Sequence, residues 1–172
     1  MIRKAVSSDI DAVAAVYEAI HRAEEEGRIR VGWIRDIYPV RATAEEAVKR
    51  GDLFVLEEDG IIVGAAVINR IQVDVYYGAP WEYEAGEDQV CVLHTLVISP
   101  RYAGRGLGRA FVSFYEALAK AQGCTELRID TNEKNLAARA MYRKLGYKER
   151  AIVPTVFNGI PDVNLVLLEK RI

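Results

Sequence analysis

The stretch Val90–Phe111, VCVLHTLVISPRYAGRGLGRAF, constrains this chain more than any other. An apolar run, a short loop crowded with glycine and arginine, and the start of an amphipathic run follow one another directly. That order reads as strand, loop, helix. Gly104, Gly106 and Gly108 alternate with Arg105 and Leu107, and Arg109 falls just inside the helix. Glycines at such a turn let the backbone approach a ligand and direct successive N–H groups toward one point. The helix start adds about half a positive charge at the same point, which suits a phosphate or pyrophosphate. Arg101, Arg105 and Arg109 can add side-chain charge. The expectation is a nucleotide-like anion at the strand-to-helix turn; an ordinary glycine-rich turn is the alternative.

Two phosphate-binding patterns are excluded by the residues. A P-loop ends in Gly-Lys-Ser/Thr, whereas Gly108 is followed by Arg109 and Ala110. The dinucleotide fingerprint G-x-G-x-x-G fails from Gly104, where the last position is Arg109, and from Gly106, where it is Phe111. Asp130 lies about 20 residues on, as that fingerprint would want. The glycines, however, are separated from the strand by Ser99–Ala103 rather than following it immediately.

The rest of the chain alternates strands and helices. Ile2–Ala5 reads as a short strand, and Ser8 or Asp9 can cap a helix from Ile10 to Glu26 that Gly27 stops. Arg28–Arg41 holds Trp33 and Tyr38 without clean periodicity, and reads as a loop or short helix whose aromatics cover a site. Thr43 caps a second helix, Ala44–Arg50. Asp52–Glu57 and Ile61–Gln72 are strands joined by Glu58-Asp59-Gly60, a hairpin signal. Tyr76–Asp88 is a loop before the central strand Gln89–Ile98. A long helix from about Arg105 to Gln122 follows, then strand Glu126–Asp130 and helix Leu136–Leu145. Lys148–Phe157 and Val163–Leu168 form a final hairpin across Asn158–Pro161.

Two spaced motifs resemble the GNAT superfamily of acetyl-CoA-dependent N-acetyltransferases. Leu96-Val97-Ile98-Ser99-Pro100 and Ala103-Gly104-Arg105-Gly106-Leu107-Gly108 match its Leu-x-Val-x-Pro strand end and Gln/Arg-x-x-Gly-x-Gly/Ala loop. Ala103 departs from the usual Gln or Arg, a contact that Arg101 or Arg105 could replace. Asn135-Leu-Ala-Ala138-Arg-Ala-Met-Tyr142-Arg-Lys-Leu-Gly146-Tyr147 resembles the family's next helix. The resemblance spans the chain and is sharp over about Val90–Tyr147. It implies an α/β (α+β) fold: a mixed, curved central sheet of about seven strands, helices on both faces, in the order βααβββαβαββ.

The resemblance also implies a chemistry. Leu96, Val97 and Ile98 would offer backbone N–H groups to the thioester and pantetheine arm of acetyl-CoA. Ala103, Gly104, Arg105, Gly106, Leu107, Gly108 and Arg109 would hold its pyrophosphate, and Asn135 and Ala138 its arm. Tyr142 would protonate the leaving thiolate; a core aromatic is the alternative, since Met141, Tyr142 and Leu145 share helical spacing. Asn135 reads equally well as a helix N-cap. His94, two residues before Leu96, is expected on the same strand face as Leu96 and is the candidate general base, with a buried structural histidine as the alternative. His21 reads as a surface or lid residue. The mechanism expected is direct attack by a primary amine, against the alternative of a catalytically silent acyl-CoA-binding subunit. A nucleotide-binding domain is a third, weaker reading.

Charge is distributed unevenly. Residues 51–100 carry nine acids against the single cation Arg70, and residues 101–150 eleven Lys and Arg against five acids. The basic excess begins at the glycine loop, where a polyphosphate would sit. Trp33, Tyr76, Trp81, Glu82 and Glu84 are the residues expected to wall an acceptor pocket. With Glu24-Glu25-Glu26, their acidity points to a cationic amine, small molecule or peptide; a solvated acidic surface is the alternative.

Bulk properties fit one soluble domain over residues 1–172. The net charge of −2 gives no pull toward nucleic acid, and no apolar run reaches membrane length. Cys91 and Cys124 lack metal-site spacing and read as buried thiols in a cytoplasmic protein, with no metal. A homodimer is left open.

Overall fold

Seven strands form one mixed sheet: β1 (Ile2–Lys4), β2 (Leu53–Glu58), β3 (Ile61–Asn69), β4 (Val90–Ile98), β5 (Glu126–Asn132), β6 (Lys148–Phe157) and β7 (Ile160–Arg171). Their spatial order is β1-β2-β3-β4-β5-β7-β6, and β4–β5 is the one parallel pair. The computed structural model describes all residues, Met1–Ile172. Four helices complete the order expected from the sequence: α1 (Ile10–Glu25), α2 (Arg41–Arg50), α3 (Leu107–Ala121) and α4 (Leu136–Lys144). None is long and apolar enough to cross a membrane.

Alternating strand residues build three cores, the third joining Val90 and Val92 of β4 to Leu165 and Leu167 of β7 under Tyr76. Phe54, Leu56, Ile68, Cys91, Leu93 and Ile129 pack under Phe111, Tyr115 and Tyr142 of α3 and α4. Leu53, Val55, Ala65, Val67 and Val97 face Val13, Val16, Tyr17, Ala44 and Ala47 of α1 and α2. Each fully buried large apolar side chain contributes about 1.5–3 kcal/mol. The buried Tyr115 hydroxyl donates to Cys91 O at 2.6 Å, which fixes α3 against β4. Cys91 and Cys124 are free and buried.

Several element ends differ from the sequence expectation, for local reasons. α2 begins at Arg41, because Thr43 Oγ1 accepts the Val40 N–H from the third helical position instead of the cap. β3 stops at Asn69, whose Oδ1 accepts the Ile71 N–H at 2.8 Å and turns the chain out of the ladder. β5 runs on to Asn132 because β7 pairs with it as far as Asn132↔Leu165. β7 in turn spans Ile160–Arg171, longer than expected at both ends.

Two features open the sheet at its middle. Parallel pairing of β4 with β5 runs from Val90↔Glu126 to Leu93↔Ile129 and then ceases, so the two strands part. At the same level β4 carries a bulge: His94 pairs with Val67 and Val97 with Ala65, leaving Thr95 and Leu96 opposite Ala66. Thr95 has φ 50, a strained value for a β-branched residue, costing on the order of 1–3 kcal/mol. The bulge reverses the side-chain alternation. Leu96 therefore packs toward α3 and α4, whereas His94 faces the opposite side. The expectation that His94 and Leu96 share a face is corrected on this point.

Candidate active site

A cleft of about 910 Å³ runs along the parted strands. One wall is Leu96, Val97, Ile98, Ala103, Gly104, Gly106, Leu107, Gly108 and Arg109; the facing wall is Lys134–Ala138, Met141 and Tyr142. The first internal bond of α3 runs from Ala110 N–H to Gly106 O, so the N–H groups of Leu107, Gly108 and Arg109 have no helical partner. Gly106 caps the helix at φ 77, and a Cβ there would enter open space. This is the geometry of an anion cradle with room for a large ligand above it. Every residue expected to hold acetyl-CoA lines the cleft except Arg105. Its guanidinium pairs with Glu58 at 2.9 Å and lies 5.3 Å from the centre of the Tyr102 ring, which takes its charge away. Arg28, Arg30 and Lys134 line the cleft instead, and no periodicity in the sequence marked them.

Asn135 serves both readings: its Oδ1 accepts the Ala138 N–H at 3.1 Å as the α4 cap, and it lines the cleft. Tyr142 is buried, and burial together with the nearby Asp130 carboxylate pushes its phenol well above the ordinary value. The hydroxyl is therefore a proton donor, not an anion, at neutral pH.

Tyr142 also lines a second, small recess of about 60 Å³ that shares Trp33, Leu96, Asn135 and Ala138 with the cleft. Trp33, Tyr38, Thr95, Leu96, Asp130, Asn132, Asn135 and Phe157 close around it. Tyr38 stands edge-on to Trp33 (5.9 Å) and to Phe157 (5.7 Å), and its hydroxyl bonds Thr95 Oγ1. The 28–40 segment that brings Trp33 and Tyr38 here is pinned from α1. Glu24 accepts the Val31 N–H at 2.6 Å, Glu25 pairs with Arg35, and the His21 ring bonds Pro39 O at 2.8 Å. His21 is thus buried rather than a surface residue. Gly32 has φ 77 and sits where a Cβ would overlap the Asn132 amide, which lets this segment rest on the end of β5.

A third recess, about 490 Å³, lies on the other side of the small one and shares Tyr38, Thr95, Asp130 and Phe157 with it. His94 lines this third recess and does not line the small one. A His94 ring nitrogen is bonded to Asn69 Oδ1 at 3.0 Å, and burial lowers the imidazole to about 4. Asp130, which the sequence marked only against a fingerprint that failed, is raised by burial to about 6. Its neighbour in the sheet is Leu167 of β7, just beyond the last β4–β5 pair.

The acidic loop is placed elsewhere. Trp81, Glu82 and Glu84 line none of these three spaces, and Tyr76 is buried behind Asp130, donating to it at 2.8 Å. Trp81 donates to Tyr76 O and lies under the Arg128 guanidinium at 4.3 Å. Glu82 pairs with Arg150, and its N–H donates to the buried Glu169. The loop is a strap over β5 and β7: Glu82 pairs with Arg150, and the Trp81 and Tyr83 rings lie against the Arg128 and Arg171 guanidinium groups. Of the five expected acceptor residues only Trp33 borders the small recess.

Comparison with known proteins agrees with this architecture. The profile described as Acetyltransferase (GNAT) family matches residues 13–147. N-alpha-acetyltransferase RimI of Mycobacterium tuberculosis is 32% identical over 127 residues, 73% of this chain and 70% of that protein. The chain spans between 55% and 70% of the lengths of the curated relatives it matches. A GNAT-family acetyltransferase from Streptococcus agalactiae superposes with TM-score 0.81 at 27% identity, covering 100% of this chain and 95% of that one. The yncA protein of Salmonella typhimurium, solved with its cofactor acetyl-CoA, shares the fold with TM-score 0.69 at 20% identity, covering 99% and 92%.

Proposed function

The chain belongs to the acetyltransferase (GNAT) family, and on that premise we propose that it transfers an acetyl group from acetyl-CoA to a primary amine by direct attack. The acceptor is a small molecule or a peptide. One observation carries the reading: Tyr142 borders both the long cleft and the small recess, so a donor in one and an amine in the other meet at its hydroxyl.

Acetyl-CoA supplies the acetyl group as an activated thioester. The cleft fits it because the free N–H groups of Leu107, Gly108 and Arg109 suit a pyrophosphate, with Arg109, Arg30 and Lys134 adding charge. The β4 bulge leaves ladder groups unpaired at Thr95–Leu96, where a thioester oxygen needs a donor. Trp33, Leu96, Ala138 and Met141 exclude water along the way. The Tyr142 hydroxyl protonates the departing sulfur. Positioning supplies the largest share of the acceleration, and acid catalysis about 10²–10⁴-fold.

The test is release of free CoA thiol when the purified chain meets acetyl-CoA and a pool of primary amines, run beside a CoA-binding measurement. Amine-dependent release supports the reading. CoA binding without release from any amine refutes it in favour of a silent binding subunit.

A further inference from the structure

We propose that Asp130 receives the acceptor's ammonium group and takes its proton, and that the acceptor reaches it through the recess lined by Asn69 and His94. The inference deepens the acetyl-transfer reading and rests on it for the reaction, but amine binding at Asp130 can be tested apart from it.

Position comes first. Asp130 lines both the small recess and the larger one beyond it, while Tyr142 lines the small recess and the donor cleft. The small recess therefore has a carboxylate toward one neighbour and a phenol toward the other. Its volume of about 60 Å³ admits a nitrogen and its first carbons, and the 490 Å³ recess holds the rest of the molecule.

The bonding of Asp130 is incomplete in a way that suits an ammonium. Its one side-chain hydrogen bond comes from Tyr76 Oη to Oδ2 at 2.8 Å, and it takes part in no ion pair. Oδ1 is left to accept from a ligand. Trp33, Tyr38 and Phe157 line the recess, packed edge-on to one another, and aromatic lining of this kind tolerates a cation better than aliphatic lining does. The titratable groups facing Asp130 are Tyr76 from the strap, Tyr38 from the 28–40 segment and Tyr142 from α4, all held protonated. His94, Arg50 and Glu46 line the larger recess; Arg50 is occupied by Asp52 at 2.8 Å, and the neutral His94 does not repel a cation. With its carboxyl raised to about 6, Asp130 is anionic at neutral pH yet more basic than an ordinary aspartate.

The proton balance closes. Asp130 Oδ1 accepts one proton from the ammonium, which frees the nitrogen lone pair. That pair forms the C–N bond as the C–S electrons leave with sulfur, which takes the Tyr142 proton. The second proton lost from nitrogen restores the phenol, and Asp130 passes its own to solvent.

The test uses protein carrying carboxyl-labelled aspartate and three probes: ethylamine, n-butylamine and 2-phenylethylamine. NMR of the wild type at neutral pH should show the Asp130 carboxyl signal moving saturably with at least one probe. Asp130→Asn, which keeps the side-chain shape, should bind that amine at least about tenfold more weakly while binding CoA as the wild type does. In turnover, its kcat/KM should fall about 10²-fold near neutral pH and recover toward high pH, where the amine deprotonates by itself. An Asp130 signal unmoved by all three amines, or equal amine binding by Asp130→Asn, overturns the proposal. A wild type that binds these amines at Asp130 but fails to bind CoA would instead overturn the acetyl-transfer reading and leave this site standing.

Discussion

Asp130 and Tyr142 border one recess where β4 and β5 part, and the Asp130 charge helps keep the Tyr142 phenol protonated. In the proposed mechanism the base and the acid face the same recess. Their environments differ: a raised carboxyl that still ionises, and a phenol that does not.

Tyr142→Phe removes one hydroxyl and keeps the ring in the core. It should lower kcat by about 10²-fold and leave CoA affinity within about twofold, because protonation of the leaving sulfur is lost and cleft shape is not. Steady-state kinetics beside calorimetric CoA binding reads both. Unchanged kcat would return Tyr142 to a purely packing role.

Tyr76→Phe tests the carboxyl from behind. The Tyr76 hydrogen bond stabilises the ionised form of Asp130, so removing it should raise that carboxyl further above about 6. The acid limb of kcat/KM should move to higher pH, and the labelled carboxyl should titrate with it.

Stability should show two opposed slopes. Asp130 rises from 3.8 to about 6 on folding, so the unfolded chain releases its proton first and stability falls as pH climbs through that window. His94 drops from 6.5 to about 4, so stability also falls as pH descends through its own window. The two effects oppose each other between about pH 4 and 6 in the wild type. Asp130→Asn should be the more stable protein near neutral pH, by about 1–3 kcal/mol, and should lose stability more steeply on acidification. His94→Gln should lose it less steeply. Urea midpoints across a pH series measure all three proteins.

The glycine cradle separates strain from blockage. Gly106→Ala meets open space but must hold φ 77, so it should cost about 1–2 kcal/mol of stability with CoA binding largely kept. Gly108→Val carries no such φ. Its side chain would push on Met141 Sδ, 3.2 Å from the first added carbon, and fill the cleft, so CoA binding should weaken by about tenfold or more. Thermal melts with and without CoA distinguish the two.

The glycine cradle was legible because its chemistry is local, a glycine turn at a helix start. Tyr142 was singled out by the resemblance of Asn135–Tyr147 to the family's helix, not by spacing, which equally suits a core aromatic. Three things were not legible. The bulge at Thr95 sits inside an unbroken apolar run, so the strand read as regular and His94 was assigned the wrong face. Asp130 is a single aspartate late in a strand, and only the parting of β4 from β5 opens it to the recesses. The strap Tyr76–Asp88 looked like an acidic pocket wall because its partners, Arg128, Arg150, Glu169 and Arg171, come from strands far along the chain. Glu82→Gln should accordingly lower stability through Arg150 and leave amine preference unchanged.

Transfer of labelled acetyl from acetyl-CoA to a primary amine, followed with the wild type, Tyr142→Phe and Asp130→Asn in parallel, tests the central claim most directly. The account predicts labelled amide from the wild type, with both variants slowed and both still binding CoA. Tight CoA binding by all three proteins with no labelled amide from any amine would contradict it.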